Sequence, residues 1–272
     1  MSEGLGRRGR LALEEVLWRR AMADPLVFLA VARTLDEHAP EGEPALRGFP
    51  LCAVCAGQEG ANAVTRVEAR AGVAVAVCAG HGRRHLPYIA GLTRTWQGSE
   101  ILAFEKSRQM LATCWAVIVH LWAVLRRPGA LVAFQSLSRA KSCELLDRAA
   151  LVYAALPREL QRFGPLSDAP KARARKIEDR LTFVHEVDGR RVESRIIAIP
   201  NGRDHVRMYT FSHVLIDEAQ FWENDEEFED SYAAALATVK GGAGCLTAIS
   251  SVNHAGTFHH KLCDQAGAVM VA

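Results

Sequence analysis

Asp217 and Glu218 stand at the end of the run HVLIDEAQFWEN (213–224), where four mostly apolar residues lead straight into two carboxylates. A buried strand that ends this way presents both acids at the carboxyl edge of a sheet. In nucleotide hydrolases the first acid of such a pair holds magnesium, often through water, and the second orients and deprotonates the attacking water. A strand end followed by an acidic helix cap has the same composition, so the pair gains meaning only from what accompanies it.

Upstream, FEKSRQMLATCW (104–115) supplies strand, loop and helix start in the order a phosphate-binding loop requires. The common pattern is G-x-x-x-x-G-K-[ST], with backbone N–H groups around the phosphates, a lysine on the terminal phosphates and a hydroxyl on magnesium. With Thr113 as the closing hydroxyl, Lys106 stands at the first glycine, Leu111 at the second and Ala112 at the lysine. The loop's anion affinity comes chiefly from free N–H groups and the helix dipole, which these replacements leave in place. Losing glycine restricts how closely the backbone folds around a phosphate. Lys106 and Arg108 have long side chains that can supply the missing charge. Residues Lys106, Ser107, Arg108, Gln109, Met110, Leu111, Ala112 and Thr113 are therefore the expected nucleotide loop, with Lys106 and Arg108 joining Glu218 as catalytic residues.

A third stretch, CLTAISSVNHAG (245–256), is an apolar strand ending in Ser250 and Ser251. Hydroxyls there can bind the catalytic water or a phosphate and sense the terminal phosphate, although serine is also a common turn residue. Gln97, in TWQGSE before the first strand, is placed either to reach an adenine edge or to sit in a surface turn.

Taken in order, these stretches resemble the ATPase half of the large terminase subunit of tailed bacteriophages. KSRQMLAT is similar to that family's variant phosphate loop, in which S-R-Q-x-G precedes a hydroxyl and some members carry the lysine at the loop's start. LIDEAQ resembles its acid pair, ISSVNHAG its coupling segment, and GALVAFQSLSRAKS the strand and helix after the loop. Arg207, in VRMYTFSHVLIDE, stands where the family often has R-G ahead of the acid strand. Leu111, Ala112, Met208 and Val252 depart from the family pattern. The resemblance spans roughly residues 95–262 and implies ATP and magnesium as ligands, the latter on Thr113 and Asp217. It further implies double-stranded DNA, a procapsid portal, a small terminase subunit and further copies of the chain as partners, in the cytoplasm of a bacterial host. A nuclease domain normally follows the ATPase. The segment ending in HHKLCDQAGAVMVA has no acid cluster for a two-metal nuclease, so that half is expected to be absent from this chain.

The resemblance does not reach the cysteine-bracketed segment. CAVC (52–55) and CAGH (78–81) form two C-x2-[CH] knuckles in a Gly- and Val-rich stretch, close to the zinc-ribbon pattern of two ligand pairs on turns. Cys52, Cys55, Cys78 and His81 are the expected zinc ligands, with His85 as a possible substitute for His81. Cys114, Cys143, Cys245 and Cys263 lie in apolar surroundings and are expected in the core.

Strands alternating with helices must position these groups. Strand-like EILAFE, ALVAFQS, RLTFVHEV, RVESRIIAIP, HVLIDE and CLTAISS are interleaved with helical patterns over 110–126, 138–156 and 226–239, which argues for a largely parallel sheet. The expected architecture is an α/β, RecA-like P-loop NTPase domain over residues 87–272 with helices on both faces. A small zinc-ribbon-like β module over 47–86 precedes it, and a helical segment with a linker fills 1–46. Helical spacing in the N-terminal part continues from 11 to 36.

A 272-residue chain that is 49% hydrophobic can fill such a core. Its net charge of +2 does not by itself announce a nucleic-acid binder, though HGRRH (81–85) and KARARK (171–176) offer local basic clusters. The charged N-terminus lacks a signal-peptide core and no run is long and apolar enough to span a membrane. The acid pair also resembles that of superfamily-two helicases, and a non-catalytic DNA-binding or assembly module with a degenerate nucleotide pocket is a further alternative.

Overall fold

The structure is a computed structural model that describes residues 7–35, 46–52, 65–70, 73–78, 81, 85–107, 110–161, 179–239, 244–253 and 255–264. Two helices open it, α1 (Arg7–Ala23) and α2 (Pro25–Val31). The Asp24 side chain accepts a bond from the Leu26 N–H, and Pro25 fills the first helical turn, where its missing N–H costs nothing. The helical spacing to residue 36 overreaches. Ala32 turns extended and its carbonyl accepts the Phe49 N–H at 2.9 Å. This sets up antiparallel pairing of β1 (Arg33–Leu35) with β2 (Leu46–Gly48). Strands β3 (Thr65–Arg70) and β4 (Val73–Cys78) form a second antiparallel pair.

Helix α3 (Pro87–Gly98) is the element the sequence reading passed over. It buries Ile89, Leu92 and Trp96 on one face. Two indole N–H groups tie it down: Trp96 donates to Thr247 Oγ1 at 3.1 Å, and Trp115 donates to Thr93 Oγ1 at 2.9 Å.

The remaining elements are β5 (Ile101–Lys106), α4 (Ala112–Arg126), β6 (Leu131–Gln135), α5 (Arg139–Ala154), β7 (Arg180–Val187), β8 (Arg190–Ile199), α6 (Arg203–Arg207), β9 (His213–Asp217), α7 (Asp225–Val239), β10 (Leu246–Ser251) and α8 (Phe258–Asp264). The six strands among them form one sheet in the order β5-β10-β9-β6-β8-β7. Every pairing is parallel except the β7–β8 hairpin at one edge.

Side chains alternate across this sheet with the period of two that strands impose. Leu102, Phe104 and Leu215 join α2, α3, α4 and α5 on one face, while Ala103, Val214 and Ile216 join α6, α7 and α8 on the other. Covering both faces explains why the strands read as nearly continuous apolar runs. Helix α4 is buried almost all round, and each of its large apolar side chains contributes about 1.5–3 kcal/mol relative to exposure. Its one ionisable interior residue, His120, is fully buried and held to the Ala116 carbonyl at 2.7 Å through Nδ1. Before β10 the chain passes so close to the Ser212 carbonyl that a Cβ at Gly244 would lie 1.4 Å from its oxygen, a position only glycine can fill.

Candidate nucleotide site

Strands β5, β10 and β9 are neighbours, so the segments that follow them emerge side by side at the carboxyl edge of the sheet. The register sharpens this. Ser251 pairs with Lys106 and Ile249 with Asp217, so β10 runs two residues past the first acid and lays Ser250 and Ser251 beside the turn that follows it.

Lys106 and the acid pair meet there. Lys106 Nζ lies 3.0 Å from Glu218 Oε1, and its side chain is only 10% exposed. The other Glu218 oxygen accepts the Ser251 N–H at 3.4 Å. Thr113, in the first turn of α4, donates its hydroxyl to Asp217 Oδ1 at 3.2 Å. Burial pushes the Asp217 carboxyl up to about 6, against the pull of Lys106 and the Thr113 hydrogen bond. A hydroxyl and a carboxylate converging through oxygen atoms form a donor set suited to a small hard cation, so the residues present fit the magnesium that the sequence resemblance implies.

The loop keeps its glycine-type backbone without the glycine. Leu111 has φ 55 and ψ 17, the left-handed region, at the position where the sequence pattern calls for the second glycine. For a leucine this costs about 1–2 kcal/mol. Its carbonyl accepts the Trp115 N–H at 2.8 Å, which closes the first turn of α4. Glu218 is also left-handed, at φ 56 and ψ 42. Residues held this way tend to collect at functional sites.

Ser107 is exposed and Met110 partly buried, as a loop over a site requires, whereas Ala112 is buried within the core. Arg108 and Gln109 lie outside the described residues, as does Cys55. Gln97 is not brought to this edge. It sits exposed in the last turn of α3, which leads into the amino end of β5, whereas the loop follows the carboxyl end. The expected adenine contact is thereby corrected: the segment read as a turn is a helix that carries Gln97 away from the loop. The first turn of α3 does reach the loop, through Tyr88, whose hydroxyl donates to the Met110 carbonyl at 2.6 Å. Aromatic-then-apolar spacing after Pro87 was the available signal for both.

Ser250 faces inward. Its hydroxyl accepts the Gln220 N–H at 3.0 Å and donates to the Ser251 carbonyl at 3.0 Å. Gln220 is the hub that sequence reasoning missed. Its Oε1 accepts the Asn253 N–H at 2.7 Å, its carbonyl accepts from Asn253 Nδ2 at 3.3 Å, and its Nε2 donates to Glu105. His260 Nδ1 meets the same Glu105 oxygen at 2.7 Å, and that bond raises the imidazole pKa. The turn bearing Glu218 is thus fastened to the end of β10 and to α8 through side chains of three elements. Arg207 ends α6 and is exposed, as is Met208. A cleft of about 430 Å³ between α6 and α7, lined by Asn201, Arg203, Asn224 and Glu227 among others, contains none of these groups.

Cys52, Cys78 and His81 form a separate group. His85 is not one of this group, and its Nδ1 accepts the Cys52 N–H at 3.0 Å. Cys245 and Cys263 are buried in the core as expected, while Cys114 and Cys143 are partly buried.

No family model and no curated protein sequence matches the chain. Among solved structures, it is similar to a single-residue mutant of the large terminase ATPase domain of Thermus phage P74-26. That likeness has a TM-score of 0.50 and 15% identity over 64% of this chain and 67% of the other. The unmutated ATPase domain of the same phage gives 0.44 and 17%, over 61% of this chain and 64% of that one. The large terminase of a thermophilic bacteriophage gives 0.42 and 12%, over 63% and 39%. The chain thus shares the fold of a phage large-terminase ATPase domain, and the first of these likenesses carries that statement.

Proposed function

We propose that this chain is the ATPase part of a phage DNA-packaging motor of the terminase large-subunit type, hydrolysing ATP to translocate double-stranded DNA. The observation that carries this reading is the convergence of Lys106, Thr113, Asp217 and Glu218 beside a loop whose Leu111 takes the left-handed conformation that suits glycine. Thr113 and Asp217 would hold magnesium, which when bound neutralises charge on the phosphate oxygens.

Lys106 is paired with Glu218, so an incoming triphosphate competes with that carboxylate for the ammonium group. Once Lys106 turns to the phosphates, Glu218 is free to accept a proton from the attacking water. The Ser251 N–H keeps its carboxylate in place during the exchange. Gln220 and Ser250 connect the same turn to Asn253 and to α8, a route by which occupancy of the site reaches the rest of the domain. By the resemblance of residues 95–262, the partners are double-stranded DNA, the procapsid portal, a small terminase subunit and further copies of the chain.

The test is ATP turnover by the purified chain with and without double-stranded DNA. Turnover stimulated by DNA without strand separation is expected. Strand separation would make the protein a helicase, and nucleotide binding without turnover in the presence of DNA and procapsids would make it a non-catalytic module.

A further inference from the structure

We propose that Cys52, Cys78 and His81 bind one structural zinc ion at the crossing that fixes the start of α3. Cys52 follows β2, Cys78 ends β4, and His81 lies in the turn three residues on, so the three donors come from two separate chain segments. Their ligand atoms all lie within 4.8 Å of one another. His81 Nδ1 is 3.3 Å from Cys78 Sγ and 3.8 Å from Cys52 Sγ.

These separations match a shared metal. Tetrahedral zinc with Zn–S near 2.3 Å and Zn–N near 2.05 Å places sulfur and nitrogen ligands about 3.6 Å apart, and two sulfurs about 3.8 Å apart. Hydrophobic packing of two thiols asks for no imidazole nitrogen aimed at both sulfurs. Both cysteines are buried and free of disulfides, whereas His81 is exposed, so the ring reaches inward from the surface to meet them. Two thiolates and an imidazole supply three of the four tetrahedral positions.

The backbone around the site gives the ion its task. Next to Cys52, the Pro50 carbonyl accepts the Leu86 N–H at 2.9 Å, and the Cys52 N–H donates to the buried ring of His85. These bonds hold the two segments together where α3 begins. A metal bridging Cys52 to Cys78 and His81 closes the intervening excursion at its base, contributing folding free energy directly. One turn into α3, Tyr88 reaches the Met110 carbonyl, so the crossing sits next to the support of the loop.

Metal analysis of the full chain, purified without added zinc, tests this independently of any ATPase activity. One equivalent of zinc is expected, lost in Cys78→Ser and in His81→Ala but retained in Cys114→Ser. Cobalt exchanged into the wild-type site should give a thiolate-to-cobalt charge-transfer band and the intense visible absorption of a four-coordinate ion, and chelation should lower the unfolding temperature. Wild-type protein containing far less than one equivalent, or zinc that persists in Cys78→Ser, would overturn the proposal. So would a Cys52–Cys78 disulfide in the freshly purified chain.

Discussion

Replacing Leu111 by glycine and by alanine measures the strain in the loop directly. Both substitutions remove a partly buried side chain packed against the core, and the two products differ by a single methyl group. At φ 55 and ψ 17 alanine keeps the left-handed penalty of about 1–2 kcal/mol, which glycine escapes. Against this, glycine loses more backbone freedom on folding, about 0.5–1 kcal/mol relative to alanine. The balance favours glycine by about 0.5–1 kcal/mol, the reverse of the order inside a helix. For a domain of this size the difference is roughly 1–4 °C in unfolding temperature. Thermal unfolding followed by circular dichroism, with urea midpoints as a second readout, would resolve it. An alanine variant as stable as the glycine variant, or more so, would refute the left-handed loop and with it the phosphate-binding turn.

Lys106→Ala should weaken ATP binding by the equivalent of about 2–5 kcal/mol, because it strips the loop of its placed charge; isothermal titration with a non-hydrolysable analogue checks this. Gln220→Ala should lower both turnover and stability, since it removes the side-chain bonds to the buried Glu105 and to the Asn253 N–H, at about 1–3 kcal/mol in all, whereas a Gln220 that only fills space would tolerate methionine. Stability should fall on acidification. His120 is held neutral by burial, its pKa lowered from 6.5 to about 4, so below pH 6.5 the unfolded chain takes up a proton the folded chain refuses. Its contribution is therefore complete above that pH and is lost as the pH drops toward 4, by about 2 kcal/mol between pH 7 and 5. His213, lowered to about 3 by burial first and its charged neighbours second, acts in the same direction. Urea unfolding at the two pH values would show this, and a stability that rises on acidification would contradict it.

The sheet was legible because parallel strands buried on both faces leave unbroken apolar runs, and the acids were legible because such a run ended in them. Leu111 shows how far pattern spacing reaches: the glycine is gone from the sequence, yet the position still takes glycine's conformation. What escaped notice depends on partners distant in the chain. Residues 33–35 continue a helical pattern, but the Ala32 carbonyl is claimed by Phe49 and the segment becomes a strand. Gln220 reads as one more polar residue after an acid pair. Its role exists only because β10 runs past β9 and brings Ser250 and Asn253 alongside it. Gln97 was misplaced for the opposite reason, since nearness in sequence to β5 says nothing about which end of the strand it occupies.

The most direct measurement is phosphate release from magnesium-ATP by the wild-type chain and by Glu218→Gln, alongside nucleotide affinity for both. If Glu218 activates the water at this site, the variant should bind ATP nearly as well as the wild type and turn it over about two to four orders of magnitude more slowly. Equal turnover in the two proteins, or no binding of ATP by either, would contradict a nucleotide-hydrolysing site built on Lys106, Thr113, Asp217 and Glu218.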